Sequence, residues 1–215
     1  MTEEVRKQIT ELVTQLQQAH RLAASFYQHI LPLFDLIANQ ALDAKFWFWN
    51  PIETDRTCRQ ETQPTSRSAW EFLPLFASAH AYRDHDGITA EKDEKAVIFR
   101  LYLDDDFRKD SALRARSKGV GEPDPLKMSG EAVIEVNLYH CLQDSNKHIW
   151  HLVNKAGWAI PQSDQWQQSA SCPALEVCSK QRPLDEFLAD PDSVTKWIQE
   201  RSATAKRVIV SGQAS

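Results

Sequence analysis

The sequence has no run of eighteen consecutive apolar residues, which excludes an ordinary helical membrane span. Its first residues, Met1 to Gln8, include Glu3 and Glu4 but no apolar run, so they do not read as a secretory signal. Cysteine is scarce. Cys58, Cys141, Cys172 and Cys178 are too few and too irregularly spaced for a disulfide framework or a zinc ribbon, and reduced thiols in a cytosol suit them. Gly-x-Ser-x-Gly does not occur, so the nucleophile turn of a serine hydrolase is missing. Gly119-Val120-Gly121 is too short for a glycine-rich phosphate loop. Internal repeats and low-complexity tracts are absent as well. The net charge of -5 exerts no global pull toward nucleic acid or an anionic membrane.

What is present belongs to a folded globular chain. The 215 residues are 42% hydrophobic and include 7 Trp and 9 Phe, enough for a sizeable core. The chain is organised around its opening stretch, where apolar residues recur at alternating steps of four and three. Val5, Ile9, Leu12, Leu16, Ala19, Ala23, Phe26, Ile30, Leu33 and Ile37 form an unbroken heptad seam. Thr2 is placed to cap the helix, with Glu3 and Glu4 in its first turn. At 1.5 Å per residue such a helix reaches roughly 50 Å, longer than a compact domain of this size needs for its own core.

The two halves of the seam differ. Arg6, Gln8, Gln15 and His20 flank it early, with Val13 the one apolar exception; later Leu22, Tyr27, Phe34 and Leu36 widen the apolar arc. This pattern predicts an exposed first half and a buried second half. Val5, Ile9, Leu12 and Leu16 are therefore the expected interface, with a second copy (a homodimer) or with a partner protein's helix. The seam lacks flanking charges that would set orientation or stoichiometry. Pro32 predicts a kink or a break, with any second helix running to about Ala44.

Residues 45–215 read as a strand-rich body that forms one unit with the segment 1–44. Phe46 to Trp49 suggests a short buried strand and Trp70 to Tyr82 an extended edge strand; Val97 to Leu103 alternates cleanly. Ala132 to Leu142 is the clearest strand, and Ile149 to Val153 reads as its hairpin partner across Gln143 to Asn146. Leu175 to Cys178 adds a short strand, and Val208 to Val210 could pair at an edge. Two helices, Pro183 to Leu188 and Pro191 to about Ala205, precede that last stretch; Asp190 caps the second. The connection from Asp104 to Gly130 is long enough to predict disorder or a functional flap. The predicted class is α+β: a long N-terminal helix, kinked near Pro32, packed on an antiparallel sheet of about four or five strands, with short C-terminal helices.

Candidate chemistry is sparse. The hairpin register would set His140 and His151 on the core face at its rim and Cys141 on the other, so these residues do not assemble as zinc ligands. The other face would show Glu135, Asn137, Tyr139, Trp150 and Asn154, joined by Arg100 and Tyr102. Rings for buried area and polar groups for orientation make this a candidate small-molecule or nucleotide-sensing platform. Alternation is also the default of an antiparallel sheet with a solvated or helix-covered outer face. Arg108, Lys109, Arg114, Arg116 and Lys118 form a basic run able to grip phosphates, or simply a solvated one. Asp124 and Glu131 resemble a metal-holding carboxylate pair of a nuclease-like enzyme, but the lysine expected two residues after the second acid is replaced by Val133. Asp84, His85, Asp86 and Asp104 to Asp106 fall at turns, where aspartate is common for backbone reasons.

No catalytic residue, cofactor or metal is expected, and nucleic acid is not an expected partner. The resulting expectation is a non-catalytic cytosolic interaction or regulatory protein. Small-molecule sensing by the sheet face, or metal-dependent nuclease chemistry, is the alternative.

Overall fold

The computed structural model describes residues 2–52, 73, 75–106, 127–157 and 163–205. Helix α1, Glu3–Leu42, spans 40 residues without interruption. The Thr2 hydroxyl accepts the Val5 N–H at 3.4 Å, and Glu3 and Glu4 occupy the first turn. At the far end Asp43 takes a left-handed conformation with φ 53°, and the Ala44 N–H donates to Ala38 O at 3.3 Å. This is a left-handed helix stop of the Schellman type. Pro32 lies inside α1 and does not end it. Of the kink or break expected there, the break does not occur, and no second helix separates before Leu42. A proline forfeits one internal hydrogen bond, and packing of Ile30, Phe34 and Ile37 in the core holds the helix together around it.

Six antiparallel strands follow in the spatial order β1-β2-β3-β4-β6-β5. They are β1 (Lys45–Pro51), β2 (Ala77–Arg83), β3 (Lys95–Tyr102), β4 (Val133–Cys141), β5 (Gln167–Gln168) and β6 (Leu175–Pro183). The sheet has more strands than the sequence suggested, because β5 pairs only two residues with β6. β1 is an edge strand with Phe46 and Trp49 exposed, not a buried one. Its register shifts between Phe46 and Phe48, and this bulge lets Trp47 and Phe48 pack on the same cluster.

β2 was expected at the edge but lies between β1 and β3, buried along its whole length. Its small residues Ala77, Ala79 and Ala81 fit that crowded position. β6 is longer than expected and pairs with all of β4, from Cys141 opposite Leu175 to Val133 opposite Pro183. The polar stretch Ser179 to Arg182 hid this second half of the strand.

Residues 149–153 depart furthest from the expected hairpin. They form no hairpin strand with β4; they belong to helix α2, Ile149–Ala156. His148 caps it, its Nδ1 accepting the Trp150 N–H at 3.2 Å. Ile149, Leu152 and Val153 are buried at helical spacing, and Gly157 with φ 86° follows the last turn. Two short helices, α3 (Leu184–Ala189) and α4 (Pro191–Ala205), close the described chain. Asp190 accepts the Ser193 N–H at 3.2 Å, the cap the sequence implied.

Apolar residues are packed on both sheet faces. The second half of α1, with α3 and α4, covers Val97, Phe99, Leu101, Ile134, Val136 and Leu138. On the other face α2 packs over Ala79, Ala81, Ile98 and Tyr139. Among the described residues no helix is long and apolar enough to cross a membrane.

Candidate functional site

The first half of α1 projects from the body. Every helical residue from Glu3 to Ser25 is exposed, about six turns or roughly 35 Å of helix. Its apolar stripe is bare: Val5 is 42% exposed, Ile9 48%, Leu12 65% and Leu16 57%. The large residues beside the stripe are bare too, Val13 at 48% and Leu22 at 71%. Burial begins at Phe26 and is complete at Ile30. The stripe is contiguous along one face of the helix.

Where the projecting helix meets the body it forms one wall of an apolar groove of about 530 Å³. Ala19, Ala23 and Tyr27 line it from α1, and Leu73, Phe76 and Leu103 from the body. Small side chains on the helix wall give the groove its depth.

A different character marks the α2 side of the sheet. Strand pairing sets Arg100 opposite Glu135, Ile98 opposite Asn137 and Ala96 opposite Tyr139. The Arg100 Nη1 donates to Glu135 Oε2 at 2.9 Å and its Nη2 to the Tyr102 hydroxyl at 2.6 Å, with both charged groups buried. Asn137 and Tyr139 have no exposure at all. The Asn137 amide and the Tyr139 hydroxyl also lack a hydrogen-bond partner among the described residues. Burial pushes the Tyr139 hydroxyl far above its ordinary range. Of the solvated or helix-covered face expected here, the covered alternative fits: the set is interior.

The structure brings together five of the seven residues expected on this face: Arg100, Tyr102, Glu135, Asn137 and Tyr139. Trp150 and Asn154 belong to α2 and not to the sheet, because the segment that carries them is helical. Trp150 packs instead against Phe48, with ring centroids 4.4 Å apart. Sequence reasoning missed another buried ion pair, Arg83 Nη2 to Glu94 Oε1 at 2.6 Å, whose arginine lies over Trp47. Burial raises the Glu94 carboxyl above its usual value against the pull of Arg83. Its only signal was an arginine closing an alanine-rich strand.

The family described as PM0109 matches over residues 6–208, which takes in most of the exposed stripe and the entire sheet. The chain belongs to the PM0109 family. No curated protein and no solved structure matches it. Of the interface candidates, Ile9, Leu12 and Leu16 lie within the PM0109 match and Val5 lies just before it.

Other candidate side chains of this PM0109 chain make structural contacts where they are described. His140 and His151 do not share a face: His140 is wholly buried between Glu176, at 2.7 Å, and Asp93, at 3.3 Å, while His151 is exposed on α2. The hairpin register that joined them fails because residue 151 is helical. Asp104, Asp105 and Asp106 gather their carboxylates within 4.8 Å. Each accepts a backbone N–H: Asp104 that of Asp106 at 2.9 Å, Asp105 that of Glu131 at 3.1 Å and Asp106 that of Ser129 at 3.0 Å. They tie the turn after β3 to the approach to β4. Burial pushes the Cys141 and Cys178 thiols up to about 12, far from thiolate reactivity at neutral pH. The basic run Arg108, Lys109, Arg114, Arg116 and Lys118 lies outside the described residues, as do Asp124 and Val208 to Val210.

Proposed function

We propose that this protein is a non-catalytic interaction or regulatory protein that self-associates through the exposed first half of α1. One observation carries the reading: a heptad stripe stays uncovered over about six helical turns, although the same helix is buried in the core from Ile30 onward. Isolated helices are marginal in water, and most helical stability in proteins comes from packing an amphipathic face. Burial of Leu12 and Leu16 against a second copy supplies that packing. The described cysteines are buried free thiols, which suits a reducing cytosol. Light scattering on the whole chain tests the reading: Leu12→Glu with Leu16→Glu halves the mass while the circular dichroism of the sheet persists. A monomer before and after substitution overturns it.

A further inference from the structure

We propose that the two copies pair antiparallel, with a twofold axis level with Thr14, so that Val5 and Ile9 of each copy fill the groove of the other. This rests on the self-association reading and adds its geometry. The exposed stretch Glu3 to Ser25 is centred on Thr14. The seam residues within it are symmetric about the same position: Val5 and Ala23, Ile9 and Ala19, and Leu12 and Leu16 are each equidistant from Thr14. An antiparallel pair with greatest overlap therefore sets these residues opposite one another without any slip in register. Isologous pairing of this kind presents the same patch from both copies and closes on itself.

Side-chain size favours this arrangement. Antiparallel pairing opposes Val5 to Ala23 and Ile9 to Ala19, so every outer layer joins a large residue to a small one and the layers interdigitate. Parallel pairing opposes Ala19 to Ala19 and Ala23 to Ala23, two thin layers that leave space unfilled. It also places both bodies at the same end of the seam, where Leu73 and Leu103 already stand beside the helix.

The groove lies where the antiparallel arrangement needs it. Its helix wall includes Leu16, Ala19 and Ala23, the three positions that face Leu12, Ile9 and Val5 of the second copy. Its 530 Å³ far exceeds the roughly 30 Å³ share of one water molecule and accommodates several aliphatic side chains. Val13, the one apolar residue beside the early seam, sits next to the axis and meets its own counterpart. In a parallel pair it would lie against Gln8.

Cysteine cross-linking of the full chain, with Cys58→Ser as background, separates this geometry from self-association itself. Val5→Cys and Ala23→Cys are prepared singly and also coexpressed; both positions are exposed, so the fold tolerates them. The expected result is a doubled mass by light scattering, with a disulfide-linked dimer on mild oxidation only when the two variants are mixed. A doubled mass in which Val5→Cys alone cross-links to itself overturns the antiparallel geometry and leaves self-association standing. A monomeric mass overturns both.

Discussion

Phe34 of α1 lies flat on Phe99 of β3, with ring centroids 4.7 Å apart and planes 6° from parallel. Both rings are wholly buried, and Phe187 of α3 closes on the first from 5.9 Å. This stack anchors the rear of a helix whose front projects into solvent. Phe34→Ala is expected to destabilise the protein by about 3–5 kcal/mol, read from urea unfolding at fixed concentration. Leu12→Ala, at a position two-thirds exposed, is expected to leave the unfolding of the body nearly unchanged and, under the proposed self-association, to lower the association constant. Equal losses of body stability at the two positions would show that the front of α1 is also held by its own chain.

Arg100 and Glu135 face each other across β3 and β4 as a buried ion pair. Removing one partner leaves the other charge uncompensated in the interior. Arg100→Met alone is expected to cost about 3–5 kcal/mol, whereas Arg100→Met with Glu135→Leu recovers a large part of that loss. A double-mutant cycle by chemical denaturation measures the coupling. Simple additivity of the two losses would show that the pair acts as two independent residues.

His80 supplies a pH dependence whose sign follows from its surroundings. Burial under Phe34 pushes its imidazole down to about 4, while the charge of Asp35 pulls weakly the other way. The unfolded chain, with an ordinary value near 6.5, takes up its proton first. This contribution to stability is full above pH 6.5 and is lost as the pH falls toward 4, by about 3 kcal/mol in all. His148, held low by burial and then by Arg83, acts in the same sense. Urea midpoints taken across that window should fall steeply in the natural protein and less steeply in His80→Gln. Parallel profiles would assign the loss to other groups.

Gly130 fits beneath the aspartate turn with no room for a side chain. A Cβ there would lie 2.5 Å from the Asp106 backbone nitrogen and against the carboxylates of Asp104 and Asp105. Since part of that obstruction is backbone, Gly130→Ala should cost about 1–3 kcal/mol, seen as a lower thermal midpoint. An unchanged midpoint would mean that the turn after β3 shifts freely, contrary to its three carboxylate-to-backbone hydrogen bonds.

Much of this architecture was already legible in the chain. The seam from Val5 to Ile37, narrow at first and widening after Leu22, foretold a helix bare in front and buried behind. That signal survives because a heptad repeat is local: each turn repeats the evidence of the last. The alternation in β3 and β4 and the Asp190-Pro191 start of α4 were equally plain, as was the shared face of Arg100, Glu135, Asn137 and Tyr139.

Only the tertiary structure decided the rest. Ile149 to Val153 is too short and too apolar for its period to distinguish strand from helix; the His148 cap and the packing of Leu152 and Val153 over the sheet settled it. The polar half of β6 is a strand because β4 pairs with it, a non-local partner that no window of residues contains. The burial of Asn137 and Tyr139 likewise depends on what covers their face. The groove beside Ala19 and Ala23 exists because Leu73 and Leu103, distant in sequence, arrive next to a helix whose small residues leave them space.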